Sequence, residues 1–142
     1  MWWTVPFPVD TLISVVERSA EDLALLKDER RIHEVLSVRC GAAGLTLRAR
    51  RVIEEPGLPR LEVDLISEEH RLAVEVKVDS RFYVGLGQAM AAKELYGYEA
   101  VLIHVMDRVD PPVVDALKRL GEKAGIKIIL IGRQPLKVKV VP

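Results

Sequence analysis

Residues 60–79 read RLEVDLISEEHRLAVEVKVD, and the fold turns on how this stretch is paired. In RLEVDLI (60–66) apolar and polar residues alternate, as they do in RLAVEVKVD (71–79), so each predicts a β-strand, with SEEH as the turn between them. A four-residue loop pairs Ile66 with Arg71 in an antiparallel hairpin. Val63 then faces Val74, Leu61 faces Val76 and Leu65 faces Leu72; with Val78 these make one wholly apolar face. Asp64 stands opposite Ala73 and diagonal to Glu75, with Lys77 two residues further on the same side. The hairpin therefore gathers Asp64, Glu75 and Lys77 on its second face.

Outward from the hairpin, LTLRARRVI (45–53) alternates like a strand and joins it through the turn EEPGLP. Upstream, Ser19 and Asp22 resemble a capping box, and Leu23, Leu26, Ile32, Val35 and Leu36 recur at helical spacing, predicting a helix over 20–39 that Gly41 and Gly44 end. A short helix over 10–18 precedes it, after an extended segment 1–9. Downstream come a helix from Val84 to Tyr96 capped by Gly97, a buried strand over 100–105, a helix opened by Asp110-Pro111, a buried strand over 126–131 and an edge strand over 136–141. The expectation is one α/β domain with a mixed central sheet flanked by helices. It comprises an N-terminal extension (1–18), an αβββαβ core (20–105) and a C-terminal helix and strands (106–142).

Of 142 residues, 49% are apolar and 30% charged, enough to bury a core. The 21 basic and 21 acidic residues balance, which excludes a histone-like polycation and leaves nucleic-acid contact to local patches. Cys40 is the single cysteine, so no intramolecular disulfide or CxxC metal site is expected. MWWTVPFPVD lacks the basic leader of a signal peptide, and no apolar run approaches the ~18 residues of a membrane span, so a cytoplasmic protein is expected. The chain has no Asn and only Gln88 and Gln134 as amides, a composition that points to a thermophile.

Two carboxylates diagonal across a strand pair repel unless a cation lies between them. Hard oxygen ligands of this kind suit Mg²⁺ or Mn²⁺, and a lysine beside the metal orients or deprotonates a water, or offsets charge on a phosphate. Charges on the open face of an amphipathic hairpin are otherwise ordinary solvated groups. His33, His70 and His104 have no metal-like spacing, and His104 reads as a satisfied core histidine. Gly85-x-Gly87 lacks the third glycine of a dinucleotide loop.

LEVDLI followed by LAVEVKVD resembles the PD-(D/E)xK nuclease superfamily, the restriction-endonuclease-like fold of archaeal Holliday junction resolvases and RecB-type nucleases. Asp64 matches its first carboxylate, Glu75 the second and Lys77 the lysine, while Val63 replaces the proline. The order of elements from residue 20 to residue 105 matches the αβββαβ core. The resemblance implies a metal-dependent nuclease hydrolysing phosphodiester bonds of DNA, with Mg²⁺ or Mn²⁺ held by Asp64, Glu75 and the backbone carbonyl of Val76. It implies a glutamate on the first core helix, for which Glu34 is favoured and Glu29 is the rival. It also implies a glutamine on the helix after the lysine strand, matched by Gln88, with Tyr96 in partial place of the tyrosine that often follows. Arg48, Arg50, Arg81 and Tyr83 are candidates for nucleic-acid contact, as is the stretch 117–142, with seven basic residues against Glu122. Trp2 and Trp3 suit an interface in a homodimer or larger complex. The alternatives are a non-catalytic nucleic-acid-binding or assembly module keeping the nuclease fold, and an unrelated αβ protein with solvated hairpin charges.

Overall fold

The computed structural model describes residues 5–142; Trp2 and Trp3, the expected interface residues, lie outside them. Ten elements follow in order: α1 (Pro8–Leu25), α2 (Glu29–Ala42), β1 (Arg48–Ile53), β2 (Leu61–Ser67), β3 (Leu72–Val78), α3 (Leu86–Tyr96), β4 (Glu99–Met106), α4 (Pro111–Ala124), β5 (Lys127–Arg133) and β6 (Leu136–Val141). The strands form one six-stranded mixed sheet in sequence order. β3, β4 and β5 are mutually parallel, and the remaining neighbours are antiparallel.

Side-chain alternation along the strands sorts the core to two faces. Leu72, Val74 and Val76 of β3, Val101, Ile103 and Val105 of β4, and Ile129 and Ile131 of β5 pack against α1 and α2. Ala100, Leu102, Ile128 and Leu130 pack against Leu86 and Ala89 of α3 and Leu117 of α4. A third cluster joins Ala92 and Tyr96 of α3 to Ile53, Val63, Ile66 and Ala73. Among the described residues no helix is long and apolar enough to cross a membrane.

The first two helices depart from the sequence expectation. Pro8 stands at the start of α1, where its missing N–H is harmless, so the helix begins inside the expected extended segment. Ser19 is not a cap. It lies in the buried stripe Leu12, Val15, Val16, Ser19, Ala20, Leu23, which continues unbroken at helical spacing. The break comes later, at residues 26–28, where the Asp28 carboxylate accepts a hydrogen bond from the Arg30 N–H at 2.9 Å and caps α2. The first strand is also shorter than the 45–53 expected.

The β2–β3 hairpin pairs Ser67 with Leu72, Ile66 with Ala73 and Leu65 with Val74. The loop is therefore Glu68–Arg71 instead of the expected Ser67–His70. Arg71 fixes it: at φ 48° it closes the turn, its guanidinium lies 4.5 Å over the Tyr98 ring, and it donates to the Tyr96 carbonyl. Each strand moves by one residue, so the parity of faces survives while the partners change.

Gly85 caps α3 at φ 97°, and a Cβ there would lie 2.8 Å from Leu102 Cδ1 and 3.1 Å from Lys77 Cγ. Gly85→Ala is expected to cost on the order of 1–3 kcal/mol, from backbone strain and displacement of Leu102 or Lys77, read as a lower urea midpoint at unchanged slope.

Candidate functional site

The open end of the hairpin is where the sheet departs from regular pairing. Leu65 belongs to the core beneath α1 and α2, yet Val63, two residues earlier, belongs to the cluster on the opposite face. Regular alternation would put them together, and the sequence expectation of one wholly apolar face fails here. On the neighbouring strand the ladder runs Ala49↔Leu65 and then Arg51↔Val63, passing over Arg50, which sits at φ 49°. The kink carries Asp64. Its Oδ2 accepts the Val76 N–H at 2.8 Å, so the side chain takes the backbone donor of β3 that a β2 carbonyl would otherwise take.

Glu75 lies beside it and is 1% exposed. Neither of its carboxylate oxygens has a hydrogen-bond partner. Burial, and after it the Asp64 carboxylate, pushes its pKa up to about 9, against a smaller downward pull from Lys77. At neutral pH the side chain is protonated unless a cation joins the pair. Lys77 is half-buried, and its stem passes against Gly85 at the start of α3. Asp64 thus stands beside Glu75, with Lys77 near, but through a kink and not on one regular hairpin face as expected, and it is drawn further along β3 than the diagonal position opposite Ala73.

His33 is the residue that sequence reasoning missed. It is 5% exposed on α2, its Nε2 is 3.8 Å from Asp64 Oδ2, and neither ring nitrogen has a hydrogen-bond partner. Burial holds its pKa below the ordinary imidazole value and outweighs the attraction of Asp64, so the contact is between a carboxylate and a neutral ring, not an ion pair. Glu29, at the start of the same helix, accepts the Val78 N–H at 3.3 Å and so touches the end of β3. Glu34, the favoured helix glutamate, is instead exposed beside a groove. The buried stripe of α2 is Ile32, His33, Leu36 and Cys40, and Glu34 falls off it. That stripe was the available signal for His33.

Gln88 was expected to face the carboxylates. It is exposed on the first turn of α3, off the buried stripe Leu86, Ala89, Ala92, Tyr96. Tyr96 donates its hydroxyl to the Pro59 carbonyl, tying α3 to the β1–β2 loop rather than to the site. Val76, between Glu75 and Lys77 in the chain, is buried, with its N–H taken by Asp64. Arg48, Arg50, Arg81 and Tyr83 are all exposed; Arg48 lies near Ser67–Glu69, Arg50 near His33, and Arg81 donates to the Tyr83 hydroxyl at 3.2 Å. His104, paired in register with Lys77, is buried with Nε2 3.0 Å from the Ser80 carbonyl, while its Nδ1 has no partner, so it is only half satisfied. Among the described residues no group of three or more His, Cys, Asp or Glu is spaced to hold a metal ion; the donors converge as the Asp64–Glu75 pair, with His33 at its edge. Comparison with known proteins found no family model, curated protein or solved structure that matches the chain.

Glu75 has a pH signature. Its folded-state pKa of about 9 lies above the ordinary value of 4.5, so the folded protein holds a proton that the unfolded chain releases. Stability from this group is present below pH 4.5 and is lost as pH rises toward 9. His33 and His104, both shifted down, act on the acid side and are neutral above pH 7. In chelator, the melting temperature is expected to fall between pH 7 and 9, and Glu75→Gln is expected to flatten that fall in calorimetry.

Proposed function

We propose that this chain is a metal-dependent nuclease that hydrolyses phosphodiester bonds of DNA. The observation that carries the proposal is the pair of partnerless oxygens of buried Glu75, set against Asp64 and Lys77. Burying this carboxyl group against Asp64 is costly, and a divalent cation shared between the two removes the cost. The order α2-β1-β2-β3-α3-β4 supports the restriction-endonuclease-like reading, because it is the αβββαβ order of that core.

Asp64, Glu75 and the Val76 carbonyl would hold Mg²⁺ or Mn²⁺, with the neutral His33 ring offering a nitrogen from the other side. When bound, the cation supplies positive charge at the scissile phosphate and lowers the pKa of a water. Asp64 keeps its position through the Val76 N–H, and the packing of Lys77 against Gly85 limits where its ammonium can reach. That ammonium either orients and deprotonates the attacking water or offsets charge on the phosphate. Assembly as a homodimer belongs to the same proposal, and sedimentation of the intact chain reads it. One observation favours the alternative of a non-catalytic binding module: the described residues hold no three-residue metal cluster.

Incubation with labelled branched, duplex and single-stranded DNA in Mg²⁺ and Mn²⁺ decides between them. Cleavage is expected, and divalent metal is expected to raise the melting temperature. Asp64→Ala is expected to abolish that shift. Lys77→Ala is expected to keep metal binding yet lower cleavage at least about a hundredfold. Lys77→Arg is expected to fail as well, because a planar fork does not replace a compact ammonium. No calorimetric binding of millimolar Mn²⁺ would overturn the reading.

A further inference from the structure

Between α2 and β1, next to His33, lies a groove of about 250 Å³. Its walls carry Val38, which is 72% exposed, and Ala49. Arg30 of α2 and Arg50 of β1 stand on opposite sides, against one lining acid, Glu34. Buried His33 also lines it, with neither ring nitrogen bonded. The volume is below the ~300–1,000 Å³ of pockets that take drug-sized ligands, and suits one planar ring system. Apolar walls between two guanidiniums match a nucleobase. The walls take its faces, and a guanidinium can stack on it or hold an adjoining phosphate.

We infer that this groove receives one unpaired base of a DNA strand whose neighbouring phosphate lies at the Asp64–Glu75 pair. His33 links the two places, since it lines the groove and stands 3.8 Å from Asp64. A base in a duplex must first be unpaired and unstacked, a cost that a single strand does not bear, so the preferred substrate is single-stranded at the point of cleavage. The inference rests on the nuclease reading above and narrows its substrate.

Its test is a binding experiment in chelator, by fluorescence anisotropy with a labelled single-stranded DNA oligonucleotide, its blunt duplex, an RNA of the same sequence, and a set of strands each lacking one base. The single strand is expected to bind at least about tenfold more tightly than the duplex, and loss of the base at one position is expected to cost a similar factor. Val38→Glu changes an exposed side chain and places a carboxylate in the groove. It is expected to weaken the intact strand about tenfold and to make binding insensitive to the missing base, while Arg30→Met is expected to weaken it by a smaller factor. Equal affinity for duplex and single strand, tighter binding of RNA, no sensitive position in the scan, or full sensitivity retained in Val38→Glu would each overturn the inference. A protein that cleaves DNA without base-dependent binding overturns the groove alone. One that shows such binding but takes up no Mn²⁺ overturns the nuclease reading alone.

Discussion

When Asp64 Oδ2 accepts the Val76 N–H, a side chain occupies a backbone position in the β2–β3 ladder. Pairing between the two strands covers Leu65, Ile66 and Ser67, and beyond that point β2 turns so that Val63 joins the opposite face. The gap at the open end of the hairpin gives His33 on α2 its approach to Asp64, although α2 packs on the face of the sheet away from α3. Without the kink, Asp64 would lie under the same layer as Ile66 and Ala73, away from α2.

The surroundings hold this arrangement at the C-terminal ends of the parallel strands. Arg133, at the end of β5, donates to Asp79 at 2.6 and 3.1 Å, to Asp107 at 2.9 Å and to the Ala24 carbonyl at 2.9 Å. One guanidinium thereby joins the ends of β3, β4 and β5 to the last turn of α1. The Asp79 carboxyl is held below its usual range by Arg133, and it stands two residues after Lys77. Glu29 adds a second tie, from the first residue of α2 to Val78. The helix that carries His33 therefore starts from a point fixed against the strand that carries Glu75 and Lys77.

Much of this was legible in the sequence because alternation is a local property. Strand positions, the α/β class and the common side of Glu75 and Lys77 on β3 all follow from which residues are apolar, and the true loop, one residue later, left that parity intact where the strands pair. What depended on phase was not legible. Glu34 was favoured within a helix begun at residue 20, and the break at residues 26–28 resets which side chains of α2 face the sheet. His33 was dismissed because its partners lie on another element, so chain spacing carried no trace of them. Gln88 matches the resemblance by its place on the helix after the lysine strand, which says nothing about direction; the buried stripe of α3 passes it by. The kink at Asp64 had no signal either, since Arg50 is not a residue type that announces a positive φ.

The Arg133 contact to Ala24 spans 109 positions of chain. During synthesis α1 and α2 emerge first, with a buried stripe of Leu12, Val16, Leu23, Ile32 and Leu36 and no sheet to receive it. β3 gains its first parallel neighbour only when β4 has been made, and α1 gains its anchor only with β5. The nascent chain thus displays Asp64, Glu75 and Lys77 long before the layer behind them exists. The packed setting of these residues arrives only with the completed sheet, as a property of topology.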